Sequence, residues 1–187
     1  MITAIVEGPG DKRALPILIR RERGKTSVRC VNMRGKSNIV RRDRGFEDTV
    51  RRQHALGGGS FIVLMDGDVT CAPYQSLQEE REDMPRRAKS LEQELGVPIW
   101  VHWAVLEMES WLIGGIKPKS IYCGLRRVGW VPANTETEPR DPKNWLESHL
   151  PDSYYSPETQ ECLAQHIDLQ EAQKHNQSMQ VFLTNIR

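Results

Sequence analysis

The sequence predicts an α/β fold: a central, mainly parallel sheet of about four strands flanked by helices, followed by a mostly helical C-terminal extension. Three observations predict it. Short β-branched or apolar runs alternate with segments of helical period through the N-terminal half. The connections are short and marked by breakers such as Gly8-Pro9-Gly10 and Gly57-Gly58-Gly59. The run Phe61-Ile62-Val63-Leu64-Met65 is apolar without alternation, the pattern of a strand covered on both faces.

Taken in order, Ile2 to Val6 reads as the first strand, and Asp11 to Arg23 as the helix after the first breaker. Ser27 to Met33 reads as the second strand, with Val28, Cys30 and Val31 apolar. Ser37 is placed to cap one helix running to about Leu56, with Ile39, Val40, Phe46 and Val50 as its apolar stripe. The Phe61–Met65 strand follows, then a charged helix from Tyr74 to Leu95 closed by Gly96, then a fourth strand from Pro98 to Val105. Glu107 to Ile113 begins another helix, and Gly114-Gly115 marks the boundary between a core of residues 1–115 and an extension of residues 116–187. Residues 116–150 show no clear periodicity, and two helices are expected over Pro157 to His166 and Leu169 to Asn185.

The chain has 187 residues, 38% hydrophobic and 27% charged, which excludes a disordered chain and suffices for a buried core. Its net charge of +1 implies no global affinity for polyanions or membranes. No apolar run approaches the roughly 20 residues of a bilayer span. Glu7 ends the apolar start with no basic region before it, so no secretory signal is expected and the expected location is the cytoplasm. Cys30, Cys71, Cys123 and Cys162 stand far apart, without C-x-x-C and with no His read at zinc-ligand spacing, so reduced thiols and no zinc site are expected.

Charge is unevenly spread. Residues 12–54 carry fourteen Lys/Arg against four acids, an excess of +10, while residues 55–187 carry twelve against nineteen. Phosphate attraction is the simplest use of such an excess, and a solvated surface is the plain alternative. Arg34-Gly-Lys36-Ser resembles a phosphate cradle without P-loop spacing, so no intrinsic ATPase is expected.

Acids stand at three expected strand ends: Glu7, the pair Asp66 and Asp68, and the pair Glu107 and Glu109. Open α/β sheets build their sites at that edge. Clustered carboxylates repel one another unless protonated or neutralised, and Mg²⁺ or Mn²⁺ with oxygen ligands is the natural neutraliser. Residues two apart in extended chain point the same way, and Gly67 permits a turn about an ion. Such a cluster supports phosphoryl transfer. Each acid also has a structural reading, as a helix cap, a turn former or a partner of a helix dipole; the set carries the argument. His102, inside an apolar strand, reads as a satisfied core histidine. The five tryptophans read as packing between the sheet and the C-terminal segment.

The motifs Val6-Glu7-Gly8-x-x-Asp11 and Met65-Asp66-Gly67-Asp68 resemble the Toprim domain of topoisomerases, primases and OLD-type nucleases. With Gly35-Lys36-Ser37, Glu107-Met-Glu109-Ser-Trp111 and the tail from Tyr155-Ser-Pro to Phe182-Leu183, the chain more specifically resembles the small stand-alone bacterial Toprim-like family called domain of unknown function 4276. The resemblance implies a nuclease dependent on Mg²⁺ or Mn²⁺, in bacterial or phage defence beside an OLD-like ATPase. Glu7, Asp66 and Asp68 would hold the ions, with Asp11 and Glu109 completing the shell or orienting water. Glu109 matches the family pattern better than Glu107, and Glu7 has general acid/base catalysis as a second role. Lys36 would sit near the transition-state phosphate, with Arg34, Arg41 and Arg42 holding the nucleic-acid backbone, DNA favoured. Two alternatives stay open: a non-catalytic subunit docked on an ATPase through the tryptophan-rich half, and the same chemistry on structured RNA such as tRNA.

Overall fold

The computed structural model describes residues 1–118, 123–126, 128–151 and 155–187. Four strands form one parallel sheet: β1 (Ile2–Val6), β2 (Val28–Asn32), β3 (Ser60–Asp66) and β4 (Ile99–Ala104), in the order β2-β1-β3-β4. Ile2 lies opposite Val28 and Ser60, and Phe61 opposite Ile99, so all four carboxyl ends open on one edge. The chain moves outward from β1 to β2 and then returns to place β3 on the other side of β1. The crevice between β1 and β3 is therefore the topological switch point, where sheets of this kind bind ligands.

Period-two alternation divides the strand residues between two hydrophobic layers. Ile2, Ala4, Val6, Ile62 and Leu64 face α1 (Pro9–Arg23), α5 (Met108–Gly114), α7 (Pro157–His166) and α9 (Gln177–Ile186). Ile5, Phe61, Val63 and Met65 face α2 (Lys36–Val40), α3 (Phe46–Ala55) and α4 (Leu77–Leu95). The C-terminal helices thus complete one layer of the sheet's own core. Arg21 of α1 fastens them by donating to the carbonyls of Ala164 and Ile167, both at 2.7 Å, at the open C-terminal end of α7. Trp111 is fully buried and stacks on Phe182, ring centroids 5.0 Å apart. Trp130, by contrast, is exposed. No helix among the described residues is long and apolar enough to cross a membrane.

The structure differs from the sequence expectations at several places. The helix expected from Ser37 to Leu56 is two, because the chain turns extended at Arg41 (ψ 151°) and left-handed at Arg44 (φ 56°). The polar run from Arg41 to Arg44 offers no apolar side chain to hold another turn against the sheet. The helix expected from Leu169 to Asn185 is also two, α8 (Leu169–His175) and α9. Asn176 divides them: its Oδ1 caps α9 through the Met179 N–H at 3.0 Å, while its buried amide donates to Ser110 and Thr135. Within the stretch read as aperiodic, α6 (Pro142–Ser148) forms behind an Asp141 cap. His102 is buried edge-on against Phe182, but its Nε2 has no hydrogen-bond partner among the described residues, and burial pushes its pKa down to about 4. The thiols are not all reduced: Cys123 and Cys162 form a disulfide, leaving Cys30 and Cys71 free. Nothing local to either half-cystine announces a partner 39 residues away.

Candidate functional site

Glu7 follows β1 and Asp66 ends β3, on the two sides of the switch point. They are joined directly: Glu7 Oε1 accepts the Asp66 N–H at 2.8 Å. Asp66 Oδ1 in turn accepts the N–H of Met108 at 3.2 Å, at the start of α5. Glu107 is the N-cap residue of that helix and Glu109 lies in its first turn. Asp11 stands in the first turn of α1, where Oδ2 accepts the Gly8 N–H at 2.9 Å. Its Oδ1 accepts from Gln160 Nε2 of α7 at 3.1 Å. A Cβ on Gly10 would overlap the Gln160 amide, so glycine there leaves room for the Gln160 side chain to reach Asp11.

These five carboxylates line one cavity of about 350 Å³, with Gly35, Lys143, Tyr155 and Gln160 completing its wall. Burial pushes Glu7 up to about 7, against the opposing pull of the Asp66 N–H and Lys36. Glu109 is pushed up to about 8 by burial, then by Asp11 and Glu107. Asp66 is raised well above the ordinary range by burial and then by Asp11, Glu7, Glu109 and Glu107. Asp11 and Glu107 are raised too, burial again coming first. At neutral pH the free cavity therefore holds protons that isolated carboxylic acids would have lost.

The other expected site residues lie elsewhere. Asp68 is exposed and outside the cavity lining; one of its oxygens accepts the N–H of Val69, although its charge still raises Glu7 and Glu107. Gly67 makes no left-handed turn. Its N–H donates to the Ala104 and Leu106 carbonyls, and a Cβ there would come 2.9 Å from the Ala104 oxygen. Close approach to the end of β4 is what requires the glycine.

Lys36 is buried, and its Nζ donates to the carbonyls of Asp66 and Val69, each at 2.6 Å, while pairing with Glu80 at 3.0 Å. These three partners match its three N–H groups, so it braces the 66–69 loop rather than offering a donor to phosphate. Arg34, Arg41 and Arg42 are exposed, and none lines the cavity. Arg42 pairs with Asp83 at 2.9 Å and Arg41 donates to the Arg44 carbonyl.

Sequence reasoning missed Tyr155, Gln160 and Lys143, and placed Glu107 behind Glu109. Tyr155 is 6% exposed, yet its hydroxyl has no hydrogen-bond partner among the described residues, and the same is true of Glu107 Oε2. Two buried polar atoms left open on one cavity mark a place where a ligand would be bonded. The donor set is wholly oxygen and anionic, which suits a hard divalent ion. Among the described residues, no three carboxylates bring oxygens within 4.8 Å of one another. An ion held there would therefore take no more than one or two of these carboxylates directly and keep several waters. No family model, curated protein or solved structure matches this chain.

Proposed function

We propose that the chain is a divalent-metal-dependent phosphodiesterase acting on nucleic acid, with Mg²⁺ or Mn²⁺ as cofactor and DNA as the first substrate. The observation that carries this reading is the carboxylate-lined cavity at the switch point, with Tyr155 Oη and Glu107 Oε2 buried and unbonded on its wall. Burying five acids in one cavity, where Asp11, Glu7, Glu107 and Glu109 all raise Asp66, is costly to the fold, and a bound cation would remove that cost. Glu7 and Asp66 would hold the ion, helped by Glu107 or Glu109, and when bound it would supply charge that stabilises the phosphate in the transition state.

Hydrolysis forms one bond from water oxygen to phosphorus and breaks one from phosphorus to the leaving oxygen. In its second role, with Asp66 and Glu107 holding the ion instead, Glu7, which burial pushes up to about 7 in the free cavity, would take the water's proton. Glu109, pushed to about 8, retains a proton at neutral pH and can pass it to the leaving oxygen. Tyr155 Oη donates to a phosphate oxygen. Asp68 at the rim adds negative potential. The basic excess of residues 12–54, beginning beside the cavity and exposed at Arg34, Arg41 and Arg42, supports a polyanionic substrate.

The test is cleavage of supercoiled plasmid and of bulk tRNA, in parallel, with Mn²⁺ or Mg²⁺, by wild type and Asp66→Asn. Cleavage lost in the variant is the expected result, and the polymer cut identifies the substrate. Equal cleavage by both proteins would refute the site. One observation favours a second reading, a non-catalytic subunit docked on a partner ATPase: the carboxylate oxygens do not converge in threes among the described residues. Failure of wild type to bind Mn²⁺ would select it.

A further inference from the structure

We propose that Cys123, Cys162 and His166 form, on reduction, a site for a soft divalent metal of the zinc class. Contrary to the expectation that no cysteine has a histidine at ligand spacing, Cys162 and His166 stand four residues apart on α7 and so share one face of that helix, while Cys123 arrives from the segment after α5. Their ligand atoms all lie within 4.8 Å of one another, the one such His/Cys/Asp/Glu group among the described residues. His166 Nδ1 is 3.7 Å from Cys162 Sγ and 3.8 Å from Cys123 Sγ. Tetrahedral zinc, with bonds of about 2.3 Å to sulfur and 2.0 Å to nitrogen, separates sulfur from nitrogen by roughly 3.6 Å. Both sulfur–nitrogen distances are therefore already close to those of a metal complex. Only the sulfur–sulfur separation must open, to about 3.8 Å in the same geometry.

The disulfide and the metal are alternative occupants of one junction. A dithiol reductant delivers two electrons and two protons and is itself oxidised to a disulfide; the Cys123–Cys162 S–S bond breaks, and two thiols result. The metal then displaces those protons and takes two thiolates with one imidazole, leaving a fourth position for water. His166 Nδ1 also lies 2.8 Å from the Cys162 carbonyl, so metal binding takes the tautomer whose hydrogen is on Nε2. The cysteines are half-buried and the histidine exposed, which gives reductant and metal access. Sulfur and nitrogen donors separate this site from the all-oxygen cavity by the metal each selects. Either clamp ties Cys123 to α7, the helix that two residues before Cys162 presents Gln160 to Asp11.

The experiment uses the full chain, oxidised or reduced with a phosphine, titrated with Co²⁺ and then Zn²⁺ while absorbance is recorded. Reduced protein should develop thiolate-to-cobalt charge-transfer absorption saturating at one equivalent and lost on adding Zn²⁺; oxidised protein should develop none. Cobalt in the oxygen-lined cavity would give no thiolate band, so the two sites are read separately. Cys123→Ser and His166→Ala should weaken binding by roughly tenfold or more, and Cys30→Ser and Cys71→Ser should not. The inference is overturned if reduced wild type shows no such band, or if the band follows Cys30 or Cys71 instead. The deciding comparison is between reduced and oxidised wild type, so it holds even where a variant fails to fold.

Discussion

Two clusters of buried charge meet at the carboxyl end of β3, and they are built in opposite ways. On the α2–α4 side, each buried cation has its anion. Lys36 pairs with Glu80, which also accepts from Trp103 at 2.8 Å. Arg87 pairs with Glu47, donates to the Val40 carbonyl and to Tyr74, and lies 5.1 Å from the centre of the Phe46 ring. At the carboxyl edge, five acids share a cavity in which burial and mutual repulsion push their pKa values up. The first cluster is satisfied and holds loops in place. The second is unsatisfied in charge and in hydrogen bonding, and that surplus points to a ligand.

The largest effect should come from breaking the satisfied cluster. Glu80→Ala leaves Lys36 buried without its anion and should cost about 3–5 kcal/mol in urea denaturation. Next comes pH. The folded state holds Glu7 protonated up to about 7, whereas the unfolded chain releases that proton near 4.5, so between these values folding binds protons. Stability of the metal-free protein should therefore fall as pH rises through this window, by about 3 kcal/mol at most from Glu7, and level off above it. Glu109 extends the fall towards pH 8. Thermal melts from pH 4.5 to 8.5 measure the slope; Glu7→Gln should flatten it, and saturating Mn²⁺ should reduce it.

Smaller still, Tyr155→Phe removes an unbonded buried hydroxyl and should raise the stability of the free protein by about 1 kcal/mol. The same variant should lower cleavage while leaving Mn²⁺ affinity unchanged by calorimetry. A variant that instead loses stability would mean that the hydroxyl is bonded within the fold. The smallest effect belongs to Arg42→Ala, whose exposed pair with Asp83 should contribute no more than about 1 kcal/mol. If Arg42 contacts substrate, its loss should weaken nucleic-acid binding and shallow the salt dependence without touching Mn²⁺ affinity.

The four strands were legible because burial on both faces leaves short apolar runs such as Phe61–Met65, and their parallel pairing because such runs alternate with segments of helical period. Glu7, Asp66 and Glu109 were legible as site candidates because each closely follows an apolar strand. Asp68 was chosen by the same rule and lies at the rim, since the Gly67 N–H bonds to the end of β4 and carries the next residue outward. Lys36 had the look of a phosphate ligand in Gly-Lys-Ser, but its role depends on Glu80, which nothing near position 36 discloses.

By itself, then, the sequence determined the α/β class, the acids at the strand ends and the concentration of basic charge between residues 12 and 54. Those properties follow from local periodicity and composition. Tertiary structure alone decided the closure of α7 on α1 through Gln160 and Asp11, 149 residues apart. It alone buried Tyr155 on the acid cavity, paired Lys36 with Glu80, and brought Cys123 to Cys162 and His166. Such contacts join segments with no shared period, and the free energy of each depends on neighbours that only the folded chain assembles.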